Sequence, residues 1–380
     1  MKNQLLMIPG PVEMDDRVLA ALGQPAVGHT SPEFIETFGA CLDGLRDVFA
    51  APDGQPFVIA GSGTLAMEIA VANVTEPGDK AVVVDTGYFS ARMADVLRRH
   101  GAQVEIVTGP LGEAPSLAAV EKALSAGVKI MTITHVDTST GVLAPVQPLA
   151  ALARRYGALV IVDGVCAVAG QEFRQAEWDV DLCLTASQKA LASATGLALV
   201  MARPRALEMF RARKHPVASY YADWTMWLPV MEAYQARKVA YFGTPPIQVI
   251  GALAESVRQI RAEGMEARWA RHHRLSASFK AGAAALGLRQ IPAKPEFQAD
   301  TLTTLYYPEG VDKSLLGRIG ATGVTVAGGL FGSIAAQYFR VGHMGVDGIG
   351  EVLRTLSAIE KGLGVTTGAG VAAAQARWVQ

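Results

Sequence analysis

Between residues 56 and 202, the sequence alternates short apolar runs, rich in β-branched residues, with segments of helical periodicity. Runs this apolar on both faces are typical of strands in a sheet that helices cover on each side. The pattern therefore predicts an α/β fold with a mostly parallel sheet of seven strands flanked by helices, whose ligands bind at the carboxyl ends of the strands. The predicted strands are 56–60, 81–85, 104–108, 129–136, 158–165, 181–187 and 196–202.

The sequence changes in character after residue 203, where helical stretches dominate before a smaller α/β unit begins at about residue 299. A chain of 380 residues is long for a single hydrophobic core, so we expect two domains. We predict an N-terminal arm (1–20), a large ligand-binding domain (21–262), a smaller C-terminal α/β domain (263–363) and a loosely ordered Gly/Ala-rich tail (364–380).

Charge and cysteine content argue against several classes of function. The net charge is −1 and basic runs are absent, which disfavours nucleic acid and an anionic membrane surface as partners. No apolar run approaches the roughly 20 residues that span a bilayer, and the N-terminus lacks the apolar stretch of a signal peptide. The three widely spaced cysteines fit neither a metal site nor a disulfide framework. We therefore expect no metal and a reducing, cytoplasmic setting.

Polar residues follow several predicted strands, where an open α/β sheet would gather them at one edge. Residues 61–64 follow a strand and begin a helix, so their N–H groups could bind a phosphate, although a plain glycine turn with Ser62 as N-cap is an alternative. Asp163 ends an apolar run and needs a donor such as a pyridinium N–H, unless it caps the next turn. Lys189 follows the next strand, where apolar surroundings would make its amine nucleophilic, although a strand-end lysine can also extend to solvent.

Three further groups leave two interpretations open. Residues 137–140 follow a strand at the same edge, as an ordinary polar turn also would. Tyr88 and Phe89 could stack on a flat ring or fill the core. Arg340 lies in an apolar strand and needs an anion, either a substrate carboxylate or a structural salt bridge. Together, a phosphate loop, a stacking aromatic, an aspartate, a lysine and a carboxylate-binding arginine indicate an enzyme that uses pyridoxal 5′-phosphate and acts on an amino acid.

Stretches spread from residue 5 to residue 346 resemble the class V aminotransferases of fold type I, and within them the alanine:glyoxylate aminotransferases, especially the fungal type. They are LLMIPGPV, GHTSPEF, QPFVIAGSGTL, THVDTSTGV, VDGVCAV, EWDVDLCLTASQKA, AYFGTPP, VAGG and FRVGHMGV. The resemblance implies the fold of that family and transfer of an amino group from L-alanine or L-serine to glyoxylate. The products would be pyruvate or hydroxypyruvate, and glycine.

The resemblance also implies roles for individual residues. Lys189 would hold the cofactor as a Schiff base and move the proton, Asp163 would pair with the ring nitrogen, and Arg340 would bind the substrate carboxylate. Further implied cofactor contacts are Ser62, Gly63, Thr64, Phe89, Thr138, Val165 and Gln188, and further implied substrate contacts are Gly10 and His29. Tyr241 and Thr244 would reach the cofactor phosphate of a neighbouring subunit. The resemblance therefore implies a homodimer with shared active sites.

Several alternatives stay open. Arg340 would bind only the substrate carboxylate and would not select the amino donor. The same residues therefore also fit serine:glyoxylate, serine:pyruvate and ureidoglycine:glyoxylate aminotransferases. A cysteine desulfurase is disfavoured because none of the three cysteines lies in a predicted mobile loop. A dinucleotide-dependent dehydrogenase is disfavoured because the glycine spacing is absent after the first strand. A non-catalytic subunit that keeps the fold for binding is disfavoured by the intact set of Lys189, Asp163 and Arg340.

Overall fold

The computed structural model describes residues 4–365 and 367–379 and has an α/β architecture. Its strands are β1 (Leu5–Leu6), β2 (Gln55–Ala60), β3 (Lys80–Asp85), β4 (Gln103–Thr108), β5 (Ile130–Thr134), β6 (Leu159–Asp163), β7 (Leu182–Ala186), β8 (Leu197–Ala202), β9 (Leu302–Tyr306), β10 (Val324–Thr325), β11 (Ala327–Gly328) and β12 (Tyr338–Gly342). Its helices are α1 (Asp16–Leu22), α2 (Pro32–Val48), α3 (Gly63–Ala72), α4 (Tyr88–Arg99), α5 (Leu117–Leu124), α6 (Val146–Arg155), α7 (Pro204–Arg211), α8 (Trp224–Gln235), α9 (Ile247–Glu263), α10 (Met265–Ala285), α11 (Ser314–Gly320), α12 (Ile349–Leu363) and α13 (Ala369–Trp378). Among the residues described, no helix combines the length and the hydrophobicity needed to cross a membrane.

The large sheet has seven strands in the order β2-β8-β7-β6-β5-β3-β4. Six of them point in the same direction, and β8 is antiparallel to both of its neighbours, β7 and β2. Strands β5 to β8 are buried along their whole length, which is the pattern expected of central strands covered by helices. The prediction of a mostly parallel seven-stranded sheet flanked by helices is confirmed.

A smaller α/β unit follows, with a three-stranded antiparallel sheet in the order β11-β12-β9 and a hydrophobic core of its own. Helices α10, α11 and α12 contribute Phe279, Ile319 and Leu356 to this core. The start of the chain also joins it, because β1 pairs in parallel with β10 and buries Leu5 and Met7. The smaller C-terminal unit was predicted from the sequence, but the attachment of the N-terminal arm to it was not.

The C-terminal segment differs from the sequence-based expectation. Residues Ala369–Trp378 form α13, which packs along α10 and α12. The N–H of Gly370 donates to the Glu360 carboxylate (2.8 Å), and the Arg274 guanidinium lies 4.1 Å from the centroid of the Trp378 ring. The prediction of a loosely ordered tail is therefore wrong for this segment. Alanine is the strongest helix former, so the Ala-rich composition that suggested a loose tail instead supports a helix once a partner surface is available.

Candidate active site

A cavity of about 170 Å³ opens at the carboxyl ends of β5, β6 and β7. Its lining residues are Ser62, Gly63, Thr64, Met67, Phe89, Arg92, Val136, Thr138, Asp163, Val165, Gln188 and Lys189. The fold thus brings together nine of the residues that the sequence singled out. A larger groove of about 440 Å³ runs between α1, α2 and α9, but none of the predicted site residues lines it.

Lys189 lies in the direct connection between β7 and β8, residues 187–196. Its Nζ donates to the carbonyl of Pro9. Gly10 packs on its aliphatic chain so closely that a Cβ at that position would lie 2.5 Å from Lys189 Cδ. Burial lowers the pKa of Lys189, as does the Arg340 guanidinium, whereas Cys166 and Asp163 raise it. The surroundings therefore favour the neutral, nucleophilic amine.

Asp163 ends β6 and is 3% exposed. Its Oδ1 accepts a hydrogen bond from the N–H of Val165 (3.0 Å). Burial raises the pKa of Asp163 to about 7; Asp137 also raises it, whereas the Val165 hydrogen bond, Lys189 and Arg92 lower it. A pKa this high means that the protein alone does not offset the desolvation of the carboxylate. A ligand N–H with positive charge would do so.

The start of α3 forms one end of the cavity, and its geometry suits an anion. Ser62 precedes the helix in an extended conformation (φ −117°, ψ 175°), and its side chain makes no capping hydrogen bond. The N–H groups of the first turn and the Ser62 hydroxyl are therefore available to an anion. A Cβ at Gly63 would lie 3.2 Å from Val165 Cγ2, so a larger residue would crowd this wall. Gln188 adds a side-chain amide whose buried oxygen has no hydrogen-bond partner among the described residues.

The first turn of α4 holds Phe89 at the cavity. Asp137 Oδ2 accepts hydrogen bonds from the N–H groups of Phe89 (3.1 Å) and Ser90 (3.3 Å). Ser139 Oγ accepts from the N–H of Tyr88 (2.9 Å) and donates to Asp137 Oδ1 (2.6 Å). A carboxylate at a helix N-terminus also interacts favourably with the helix dipole. The polar turn after β5 therefore fixes the aromatic side chain that was predicted to stack on a ligand.

Three of the lining residues were not predicted from the sequence, namely Met67, Arg92 and Val136. Arg92 donates to Thr64 Oγ1 (3.0 Å), and its guanidinium lies 4.9 Å from the centroid of the Phe89 ring, within cation–π distance. Arg92 follows Phe89 by three residues, so both share one face of α4, and this spacing is a signal that could have found it. Met67 and Val136 carry no signal beyond being apolar.

Arg340 lies on β12, close enough to Lys189 for its positive charge to lower the pKa of the lysine amine. Its Nε donates to the carbonyl of Gly328 (2.7 Å) and its Nη1 to the carbonyl of Thr138 (3.2 Å). Both partners are neutral, so the guanidinium keeps its charge for an anion. Burial lowers the pKa of Arg340, because removing the guanidinium from water disfavours its charged form.

Tyr241, Thr244 and His29 do not line the cavity of their own chain. They lie near one another: Tyr241 Oη is 3.4 Å from Thr244 Oγ1, and the Tyr241 and His29 rings are 5.4 Å apart. Tyr241 is 63% exposed. Of the two predicted substrate contacts besides Arg340, Gly10 touches Lys189, whereas His29 belongs to this separate exposed cluster, which we call the 29/241/244 cluster.

The lining residues fit pyridoxal 5′-phosphate by their chemistry. The open first turn of α3 suits a phosphate, and the partly buried ring of Phe89 suits stacking on a flat heterocycle. Asp163 has a raised pKa that a ring N–H would relieve, and Lys189 offers an amine to an aldehyde. Within the described residues, no group of three or more His, Cys, Asp or Glu side chains could hold a metal ion.

Comparison with known proteins agrees with this geometry. The sequence model of the family described as aminotransferase class-V matches residues 16–345. The chain is 38% identical over 355 residues to alanine–glyoxylate aminotransferase 1 of Saccharomyces cerevisiae, covering 90% of this chain and 92% of the yeast protein. It is 32% identical to L-aspartate–glyoxylate aminotransferase of Paracoccus denitrificans, covering 99% and 96% of the two chains.

Two solved structures are similar along almost the whole chain. Ureidoglycine-glyoxylate aminotransferase from Bacillus subtilis superposes with a TM-score of 0.91 at 28% identity, covering 99% of this chain and 98% of that one. Alanine–glyoxylate aminotransferase from Nostoc sp. superposes with a TM-score of 0.90 at 32% identity, covering 96% of each chain. The likeness therefore includes both the large sheet and the smaller unit.

Proposed function

Because the chain belongs to the class V aminotransferases, we propose that it transfers an amino group from a small amino acid to glyoxylate, with pyridoxal 5′-phosphate as cofactor. L-Alanine is the donor we propose first and L-serine second. The observation that carries the proposal is the single cavity that unites the Lys189 amine, the Asp163 carboxylate and the start of α3, with Arg340 beside it. Relatives named for transfer to glyoxylate support the acceptor.

The lining residues divide the task of holding the cofactor. When bound, pyridoxal phosphate supplies an aldehyde that exchanges for an amino group and a conjugated ring that accepts the electron pair released at the substrate Cα. Lys189 would hold it covalently through its amine. Asp163 would keep a proton on the ring nitrogen, and the first turn of α3 with Ser62 would bind the phosphate.

The remaining chemistry belongs to side chains that meet the substrate. Arg340 binds the carboxylate of the amino donor, and later that of glyoxylate, through charge-assisted hydrogen bonds. This contact holds the substrate Cα near Lys189. Lys189 Nζ, which would be free once the amino group of the donor has replaced it on the cofactor, would take the proton from Cα of the donor as a general base, and in the second half of the reaction it would deliver a proton to Cα of the glycine product. The net result exchanges the amino group of the donor for the oxo group of glyoxylate.

The contact with Arg340 does not identify the amino donor, because a guanidinium that binds the carboxylate common to all amino acids does not distinguish their side chains. The relatives are named for alanine, aspartate, serine and ureidoglycine as donors. The overall similarity to the yeast protein, at 38% identity, favours alanine.

We also propose that the protein works as a homodimer with shared sites. The 29/241/244 cluster is exposed and lies outside the cavity of its own chain. A tyrosine and a threonine hydroxyl within hydrogen-bond reach of each other are suited to bind a phosphate. A second copy of the chain would place this cluster against the open phosphate end of the cavity.

The test is a half-reaction measurement on purified protein loaded with pyridoxal phosphate. L-Alanine, L-serine, L-aspartate and ureidoglycine are added one at a time, and the visible absorption band is followed. We expect the band to disappear with L-alanine, to return when glyoxylate is added, and glycine to accumulate in stoichiometric amount. A band that no amino donor changes would contradict the proposed transamination.

A further inference from the structure

Three consecutive carbonyl groups after β5 accept hydrogen bonds from side chains of the small sheet. The carbonyl of Thr138 accepts from Arg340 Nη1 (3.2 Å), that of Ser139 from Tyr338 Oη, and that of Thr140 from Thr304 Oγ1 (2.8 Å). Arg340 and Tyr338 lie on β12 and Thr304 lies on β9, where it pairs with Arg340 across the sheet. Loop 138–140 borders the cofactor cavity through Thr138. The small sheet is therefore attached to this loop residue by residue.

Tyr338 is the donor with the most partners. It is fully buried, and its hydroxyl donates to the Ser139 carbonyl while accepting from the N–H groups of Leu330 (2.8 Å) and Phe331 (2.9 Å). These three hydrogen bonds use the whole capacity of a hydroxyl group. Burial raises the pKa of Tyr338, so the hydroxyl stays protonated. The hydroxyl thus joins loop 138–140 to segment 329–331.

The same two backbone segments hold Arg340. Arg340 follows Tyr338 by two residues on β12, so both side chains lie on one face of the strand. Its acceptors are the carbonyls of Thr138, next to Ser139, and of Gly328, next to segment 329–331. A Cβ at Gly329 would lie 2.3 Å from the Ala335 carbonyl oxygen and 2.6 Å from Tyr338 Cε1, so this segment is pressed against the tyrosine ring.

We propose that Tyr338 is a positioning residue: its hydroxyl fixes the two backbone segments that aim Arg340, and so sets the affinity for substrate carboxylates. The inference rests on the proposed function, in which Arg340 binds those carboxylates. Tyr338 has no part in proton transfer and does not line the cofactor cavity. Its loss should therefore weaken substrate binding without changing how the cofactor is held.

The experiment compares the Tyr338→Phe variant with wild-type protein in steady-state and half-reaction kinetics. The variant removes all three hydrogen bonds of the hydroxyl, and the part of this loss that reaches Arg340 should raise KM about fivefold to tenfold for both the amino donor and glyoxylate, on the order of the net contribution of one buried hydrogen bond. We expect kcat to change by less than about twofold, and the affinity and absorption spectrum of bound pyridoxal phosphate to stay unchanged. Tyr306→Phe is the matched control, since Tyr306 pairs with Tyr338 across the sheet and its hydroxyl makes no hydrogen bond within the described part of the chain.

A second comparison shows whether the effect passes through Arg340. In an Arg340→Gln background, Tyr338→Phe should raise KM by less than about twofold further, because contacts that act through one group are not additive. An undiminished effect in that background would overturn the inference, as would a Tyr338→Phe variant with normal KM but lower thermal stability. Failure of the proposed function is a separate result, since it would appear as wild-type protein that does not aminate glyoxylate.

Discussion

Burial acts on the two central ionisable groups of the site so that both favour their neutral forms. It raises the pKa of Asp163 to about 7 and lowers that of Lys189. A neutral amine is the form that reacts with an aldehyde, and a carboxyl group with a raised pKa gains most from a cationic ring N–H. In the proposed function, the same desolvation would prepare Lys189 to react with the cofactor and Asp163 to bind it.

The raised pKa of Asp163 predicts how the stability of the cofactor-free protein depends on pH. The folded state holds the Asp163 proton between about pH 4 and about pH 7, whereas the unfolded chain releases it, so this contribution to stability is lost as pH rises through the folded pKa. We expect the free energy of unfolding to fall by on the order of 4 kcal/mol across this range because of Asp163, at about 1.4 kcal/mol for each pH unit. Denaturant titrations of wild type and Asp163→Asn at several pH values measure it. The variant should lose this slope, and an equal slope in both proteins would refute the assignment.

The position of Arg92 predicts that its loss weakens the binding of pyridoxal phosphate more than the binding of unphosphorylated pyridoxal. The sites available to the cofactor phosphate are otherwise neutral hydroxyl, amide and N–H groups, and Arg92 lines the same cavity through its bond to Thr64. We expect Arg92→Gln to weaken binding of pyridoxal phosphate about tenfold while changing the affinity for unphosphorylated pyridoxal less than about twofold. Equilibrium absorption titrations measure both, with Arg92→Lys as the variant that keeps the charge. Equal losses for the two ligands would mean that Arg92 only supports Phe89.

The site residues that could be predicted from the sequence are those whose chemistry is unusual for their position. A carboxylate ending an apolar strand and a lysine between two strands stand out because burial makes them costly. Met67 and Val136 do not stand out, since they are apolar residues that line the cavity only through packing, whereas Arg92 is indicated only by its three-residue spacing from Phe89. The predicted roles of the individual residues stay predictions that the variants above examine.

At the scale of elements, the positions of the site residues follow from how strands end. Asp163 is the last residue of β6, and Lys189 follows β7 in a connection that turns the chain back without a crossover helix. That short connection makes β8 antiparallel. The apolar runs were sufficient to predict the strands, because central strands are buried on both faces. The two-residue strands β1, β10 and β11 were not separately predictable, since pairs this short depend on tertiary contacts.

The packing of α13 on α10 predicts opposite effects for two helical glycines. A Cβ at Gly282, in α10, would lie 2.4 Å from Leu356 Cδ1 and 2.6 Å from the Gly370 carbonyl oxygen, whereas a Cβ at Gly317, in α11, would meet nothing within 4 Å. We expect Gly282→Ala to destabilise the protein by about 1–3 kcal/mol through overpacking. Gly317→Ala should stabilise it by about 0.5–1 kcal/mol, since alanine favours the helix. Thermal and denaturant unfolding measure both. A neutral Gly282→Ala would contradict the close packing of α13.

At the scale of the whole molecule, the apolar residues that line the cavity belong to the larger hydrophobic core, and the N-terminal arm ties its first strand to the smaller core. Gly264, with φ +81°, separates α9 from α10 close to residue 262, and the domain boundary at residue 262 stays a prediction. The other boundaries remain predictions. The fold class was predictable because strand and helix periodicities extend along most of the chain, whereas the α13 contact was not, because its surface is set by α10 and α12.

The proposed sharing of sites between subunits predicts complementation. Lys189→Ala removes the reactive amine of one site, and a Tyr241→Phe/Thr244→Ala double variant removes the phosphate contacts that a chain would give to its partner. Each homodimer should be nearly inactive or bind the cofactor weakly. After the two are unfolded and refolded together, heterodimers hold one site with both features intact, so we expect activity to recover to about one quarter of the wild-type value at equal mixing. Mixing without refolding is the control, and absence of recovery would contradict shared sites.

Lys189 is the residue that we propose carries the cofactor, and locating the covalent bond tests this directly. Protein loaded with pyridoxal phosphate is reduced with borohydride, digested and analysed by mass spectrometry, alongside the Lys189→Ala variant treated in the same way. We expect one modified peptide, containing Lys189, in the wild-type protein and none in the variant, which should still fold. Modification of another lysine in the wild-type protein, or no modification after full loading, would contradict the account.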